Sequence, residues 1–267
     1  MSTDATRATV GRDLWNKVPE VTIFFWIIKI LATTVGETAA DYLNENLGLG
    51  LTVTTYLMTG LFLVALIVQF RTKRYVPLVY WVTVVLISIV GTLITDNLTD
   101  KYGVALELTT AVFAIALAAT FLVWYREERT LSIHAINTRR REAFYWLAIL
   151  FTFALGTAAG DLIAERFNVG YWKSAVLFGG CIATVYLAWK VFHLNEVLAF
   201  WIAYILTRPL GASVGDFLSQ PTRNGGQDLG TTATSVIFLS LILVVVVFLT
   251  ITKRDQAGPQ PDPAGAT

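Results

Sequence analysis

Eight apolar runs, each close to the roughly 20 residues that a helix needs to cross a bilayer, divide the chain at about 20–43, 51–70, 75–98, 104–125, 142–165, 171–192, 195–218 and 230–252. Most connections between them are short, which predicts antiparallel neighbours packed side by side. Two polar segments are longer. Residues 126–141, REERTLSIHAINTRRR, form a basic link between two halves, and residues 219–229, SQPTRNGGQDL, form a turn-rich loop. The expected organisation is a tail over 1–19, a first half over 20–125, the link at 126–141, a second half over 142–252 and a Pro/Gly-rich, disordered tail over 253–267. The first apolar run is too long for a signal-peptide core, so no cleavable signal is expected and the first helix should stay in the membrane.

Polar positions inside the apolar runs repeat. Trp26, Trp81, Trp146 and Trp201 are each followed ten residues later by Gly36, Gly91, Gly156 and Gly211, and five residues further by Asp41, Asp96, Asp161 and Asp216. The pattern W-x9-G-x4-D thus occurs once in every odd-numbered run, and the second half repeats the first at an offset of 120. Thr54, Thr109 and Ser174 lie thirteen residues after the repeat Asp, and Thr234 joins them if the last loop carries a five-residue insertion. Each repeat holds two crossings, so all four copies enter the membrane in the same direction. The pattern predicts parallel repeats, related by pseudo-rotation about the membrane normal.

With these four segments, GETAAD (36–41), GTLITD (91–96), GTAAGD (156–161) and GASVGD (211–216), the chain resembles a family of bacterial membrane proteins built from four tandem two-helix repeats with a characteristic tryptophan, a repeat of unknown function. The resemblance covers residues 18–252 and implies the architecture: an all-α integral membrane protein of eight transmembrane helices in pseudo-symmetric halves. It implies no activity.

Composition agrees with the class. The chain is 55% hydrophobic and 15% charged, against about 45–50% and about 25% in soluble domains. A net charge of +1 gives no reason to expect nucleic acid as a partner. Lys and Arg are placed unevenly. Fourteen lie in the segments that share a side with the N-terminus (Arg7, Arg12, Lys17, Arg71, Lys73, Arg74, Arg126, Arg129, Arg139, Arg140, Arg141, Lys190, Lys253 and Arg254), and four, Lys101, Arg166, Lys173 and Arg223, lie on the other. The positive-inside rule then puts both termini in the cytoplasm of a multi-pass protein of the bacterial inner membrane. Arg139–Arg141 read as topology determinants in contact with anionic lipid. Cys181, the lone cysteine, reads as a small packing residue.

Two basic residues remain, Lys29 and Arg208, each near the middle of an apolar run. A charge at the bilayer centre costs at least ~2.5–3.5 kcal/mol, so both should face an interior and find partners. Helix geometry puts Trp26, Glu37 and Asp41 within ~60° of one another and Trp201, Arg208 and Asp216 within ~80°, so each odd helix carries one polar stripe with the glycine at its edge. The arrangement expected is a network of Lys29, Glu37 and Arg208 inside the bundle, ringed at its outer mouth by the four aspartates. Repeats two and three offer Ser88, Thr92 and Thr157 at that depth. Glu37, Asp41, Asp96, Asp161 and Asp216 are the candidate ion-binding residues, with Glu37 and Asp41 the candidate metal ligands. An excess of hard oxygen ligands suits Mn²⁺, Mg²⁺ or Ca²⁺, and a carboxylate drawn out of water can exchange protons with a substrate. Each Asp could equally face water or bond the next helix, and the tryptophans read as packing or interfacial residues.

His134 and His193 have no metal-site neighbours in the sequence, and no phosphate loop or nucleophile motif is present. No enzyme and no cofactor is expected. Two functions fit. One is a transporter of a small cation, with a hard divalent metal such as manganese favoured, or of a polar solute, exchanging it for protons. The other is a non-transporting scaffold or sensor that binds a partner protein. A homo-oligomer is compatible with either.

Overall fold

A computed structural model of the chain describes residues 16–256. Among them are eight long helices and no strand, and all eight helices are long and apolar enough to cross a membrane. They are α1 (Ile23–Asp41), α2 (Gly50–Arg71), α3 (Pro77–Asp96), α4 (Leu106–Glu128), α5 (Arg139–Asp161), α6 (Tyr171–Phe192), α7 (Glu196–Ser219) and α8 (Thr231–Thr252). The caps follow the local sequence. Thr22, Thr138 and Asn195 accept backbone N–H groups at the starts of α1, α5 and α7, while Pro77 opens α3. Past the repeat aspartates, α1, α3 and α5 run on into π-helical turns at Tyr42–Asn46, Asn97–Lys101 and Leu162–Arg166. Repeat four has no such turn. There α7 stays α-helical to Ser219, and the inserted loop folds back through Gln227 N–H to Phe217 O (2.7 Å) and Leu229 N–H to Leu218 O (2.9 Å).

The odd helices form a closed inner ring, α1 against α3, α3 against α5, α5 against α7 and α7 against α1. The even helices form an outer layer, but not on their own hairpin partners, as short connections predicted for every neighbouring pair. Each packs chiefly on the inner helix of the next repeat: α2 on α3, α4 on α5, α6 on α7, and α8 back on α1. The inward faces of the outer helices carry the echoed hydroxyls, with Thr54, Thr109, Ser174 and Thr234 all buried. Cys181 is half-buried on α6.

Every joint of the ring has one construction. Gly36 abuts Ser88, Gly91 abuts Phe153, Gly156 abuts Arg208, and Gly211 abuts Thr33. In each case the neighbour is the residue three before the next repeat's glycine, so the contact is cyclic. A Cβ built on Gly91 would lie 2.6 Å from the Phe153 Cβ. The backbones therefore come as close as they do because the side chain is missing.

At the end where the odd helices begin, the ring is closed. Phe25, Tyr80, Tyr145 and Phe200, each directly before a repeat tryptophan, are buried together, with the Tyr80 and Tyr145 hydroxyls 2.5 Å apart. Trp81, Trp146 and Trp201 are buried beside them, which makes them packing residues; Trp26 is half-buried. Over this layer lie the segments expected to be a tail and a link. Lys17 donates to Glu142 (2.6 Å) and to Phe70 O (3.2 Å), and Gln69 donates to the other Glu142 oxygen (3.1 Å). Tyr75 donates to Asp255 at 2.5 Å, and Glu20 N–H to Asp255 O at 2.9 Å. Residues 16–20 and 253–256 thus belong to the fold, which corrects the expected tails of 1–19 and 253–267 there. The rest of both tails lies outside the described residues.

The basic link is likewise shorter than 126–141, since α4 runs to Glu128 and α5 starts at Arg139. Two of its arginines are engaged: Arg140 pairs with Glu127 and Glu128, and Arg141 with Glu128 at 2.8 Å. These pairs join the end of α4 to the start of α5.

Two predictions follow from this architecture. Gly→Ala in a helix ordinarily gains up to about 1 kcal/mol, but Gly91→Ala should lower stability by about 1–3 kcal/mol through overpacking. Gly60→Ala on α2, where an added Cβ meets nothing within 4 Å, should be neutral or stabilising. Denaturant unfolding of the two variants in detergent checks this, and equal effects would refute the joint. Second, burial raises the Asp255 carboxyl above its ordinary 3.8. A carboxyl raised in the folded state contributes stability that is complete below the ordinary value and lost as pH rises through the raised one. Exchange of the Glu20 amide, corrected for intrinsic rate, should therefore accelerate as pH climbs above about 4, and Asp255→Asn should remove that dependence.

A candidate carboxylate site on the ring axis

Counted from each repeat tryptophan, the positions at +3, +7, +11, +15 and +19 carry the polar chemistry of the ring. A step of four residues returns to nearly the same face of a helix, one turn higher. The four helices thus present successive tiers.

The +11 tier is Glu37, Thr92, Thr157 and Ala212, one residue from each inner helix. Arg208, one turn below Ala212, reaches up into it. Its Nη2, with two N–H groups, lies within hydrogen-bond reach of Glu37 Oε2 (2.8 Å), Thr157 Oγ1 (2.7 Å) and Thr92 Oγ1, and its Nη1 donates to Thr33 O (3.2 Å). One fully buried guanidinium therefore binds all three of the other inner helices. The small Ala212 at the fourth position is the one beside which the arginine rises. The other repeats hold Thr33, Ser88 and Phe153 at the Arg208 position.

Lys29 does not join this network as expected. It is fully buried at the +3 tier, with Nζ 3.9 Å from the Phe153 ring centre and 4.2 Å from that of Tyr204, and among the described residues it has no hydrogen-bond partner. The reason is height. Eight residues separate Lys29 from Glu37 on one helix, about 12 Å of rise, whereas Arg208 sits about 6 Å below the Glu37 tier and spans it. Helix-face angles place residues on a common stripe but carry no information about height. Ser88 also stands outside the network, with its hydroxyl wedged at Gly36.

Above the guanidinium lies the aspartate tier. One carboxylate oxygen each from Glu37, Asp161 and Asp216 lies within 4.8 Å of the others. Asp41, expected to share a metal with Glu37, is not in this triad, and neither is Asp96; the triad draws its aspartates from repeats three and four. Asp216 and Glu37 are buried, and Asp41, Asp96 and Asp161 are half-buried.

The π-helical turns add a further tier that the sequence reading missed. Glu45, Asp100 and Glu165 each stand four residues beyond a repeat Asp, and all three are exposed. The spacing was visible in the chain; only Gln220 breaks it in repeat four. Phe153 and Tyr204, the aromatic seat of Lys29, and the aromatic residue before each tryptophan were missed in the same way. Eight carboxylates thus run from three exposed groups to a triad in which Glu37 and Asp216 are buried, and Arg208 binds its Glu37. Three oxygens from separate helices, none more than 4.8 Å from another, are close enough to share a divalent ion bound at about 2.3–2.6 Å; a protonated carboxyl could bridge the same oxygens.

No curated protein and no solved structure matches the chain. A family model described as Repeat of Unknown Function (DUF347) matches it at residues 24–75, 79–130, 144–194 and 199–255. These segments contain the four W-x9-G-x4-D units that build the ring, and the chain belongs to that family of four tandem repeats.

Proposed function

We propose that this protein is a multi-pass transporter of a small hard cation, with a divalent metal such as manganese favoured, in a bacterial cytoplasmic membrane. One observation carries the reading: the Glu37, Asp161 and Asp216 oxygens gathered within 4.8 Å, with five further carboxylates toward the same end of the inner helices. Clefts lined by one sign of charge concentrate counter-ions and speed their entry. Hard oxygen ligands without thiolate or imidazole favour Mg²⁺, Ca²⁺ or Mn²⁺ over copper and zinc.

The ion pair below gives the site its response. Glu37 Oε2 accepts from Arg208, so an arriving cation competes with the guanidinium for the same carboxylate. A Glu37 that turns toward the cation loosens the polar contacts by which Arg208 ties α7 to the other three inner helices. Proton exchange at the same carboxylates supplies the coupling. The Lys and Arg distribution supports an orientation with the capped end of the ring, which carries Lys17, Lys73, Arg74 and Arg141, in the cytoplasm and the carboxylates outside.

A second reading, a cation sensor or scaffold without flux, draws on the filled axis. Below the triad lie Arg208, Lys29 between two aromatic rings, the Tyr80–Tyr145 layer and the Lys17–Glu142 cap.

The test compares total metal content of cells expressing wild type, Glu37→Gln, Asp161→Asn or Asp216→Asn at matched membrane levels. Wild type should selectively raise or lower one hard metal, and each triad variant should remove at least about nine-tenths of that change, the tenfold loss that one charged contact of about 1.4 kcal/mol represents. Asp41→Asn should retain more activity than any of them. Metal binding by purified protein without a change in cell content would favour the sensor. Neither binding nor a change in content would overturn the cation reading.

A further inference from the structure

Two grooves open sideways between the layers, and the repeat symmetry relates them. One lies between α3 and α8, has a volume of about 210 Å³ and is lined only by apolar side chains, among them Leu78, Trp81, Val82 and Val85. The other lies between α4 and α7, has a volume of about 600 Å³ and presents Leu198, Trp201, Ile202 and Ile205. These four residues are the first four advanced by 120 positions, the offset between the halves. The grooves exist because each outer helix leans on the next repeat's inner helix, which leaves a gap before the one after it.

The larger groove differs from its counterpart at one end. There it reaches Arg129, Thr130 and Asn195, beyond the last turn of α4 and at the start of α7. Arg129 is exposed and makes no ion pair among the described residues, unlike Arg140 and Arg141 nearby in the chain. The Asn195 side-chain oxygen caps α7 by accepting from Leu198 N–H, and its exposed amide nitrogen makes no hydrogen bond among the described residues. The wall behind them is fixed, since Trp201 Nε1 donates to Leu131 O at 2.9 Å. Away from this polar end the groove is lined by Phe121, Tyr125 and the α7 side chains, parallel to the helices.

We infer that this groove is a binding site for one anionic phospholipid, with an acyl chain laid along Trp201 and Ile205 and the phosphate held by Arg129, Thr130 and Asn195. Charge complementarity selects this occupant. A planar guanidinium donates to two phosphate oxygens at once, and basic pockets between transmembrane helices at the cytoplasmic face are suited to anionic headgroups. The apolar length at a right angle to that face matches a chain that continues from the headgroup into the bilayer. The counterpart groove has the apolar trunk and no basic end, so it gives no headgroup selectivity. The inference rests on the membrane reading and not on transport.

The experiment uses the full chain in nanodiscs of phosphatidylglycerol and phosphatidylethanolamine, followed by extraction and native mass spectrometry of retained lipid. Wild type should retain one phosphatidylglycerol in clear preference to phosphatidylethanolamine. Arg129→Asn keeps a residue suited to the left-handed backbone there (φ 57°), so it should fold normally and lose about tenfold in that preference. Ile205→Trp should fill the trunk and expel the lipid, while Val85→Trp in the counterpart groove should leave phosphatidylglycerol retention unchanged. Equal retention of the two lipids by wild type, indifference to both groove variants, or displacement by millimolar inorganic phosphate would each overturn the site. None of these readings involves metal, so failure here is distinct from failure of the cation reading.

Discussion

Four glycines set the distance between the inner helices, and everything else in the molecule is arranged around that distance. Gly36, Gly91, Gly156 and Gly211 each admit the side chain that stands three residues before the next glycine in the ring. A joint of this kind must be head-to-tail, because one helix supplies the gap and its neighbour the wedge. Four head-to-tail joints close into a ring when the last repeat meets the first, as α7 meets α1. Closure brings four equivalent stripes to one axis. The outer helices then brace the joints from behind, each on the repeat that follows its own.

A symmetric scaffold of this kind can present one residue per helix at each height, and the chain uses that freedom unequally. At the aspartate height all four helices agree. One turn deeper they carry one acid, two hydroxyls and an alanine, and these meet the single arginine supplied from repeat four. The division of labour is physical. A guanidinium has donors enough to satisfy three acceptors at once, so one arginine can join three helices where four arginines would repel one another and have too few acceptors. Repeat identity at the mouth and repeat difference at the centre are two consequences of one ring.

The tryptophan, glycine and aspartate register was legible in the sequence because closure imposes it four times over, and a constraint repeated fourfold stands out from one chain. The aromatic residue before each tryptophan and the acid four residues after three of the aspartates were equally periodic, but in apolar or turn-rich surroundings such residues are common enough to pass unremarked. The π-helical turns left no mark, since Tyr42–Asn46, Asn97–Lys101 and Leu162–Arg166 share no residue type that forces the wider turn. The partners of Lys29 and Glu37 were misassigned because a helical projection keeps angle and discards rise. The pairing of outer with inner helices across repeats was hidden for a related reason: loop length constrains which helix ends are close, not which faces meet.

The buried Glu37–Arg208 pair bears on why the centre is polar at all. Ion pairs in a low-dielectric interior seldom outperform well-packed apolar residues in stability, because desolvating both charges costs about what their attraction returns. A ring held only by glycine joints and aliphatic side chains would be no less stable. The pair instead makes the association of α7 with α1, α3 and α5 conditional on the charge of a single carboxylate. Any cation or proton that engages Glu37 weakens the arginine's strongest contact and leaves the guanidinium with two neutral hydroxyls and a backbone carbonyl, in an interior that already holds Lys29. A guanidinium left less compensated in a buried core favours movement toward water, and Arg208 is on the helix whose outer end departs from the π-helical pattern of the other three. On the proposed reading, a ligand at the mouth therefore acts on the packing of the whole ring through one carboxylate, with α7 the element that answers it.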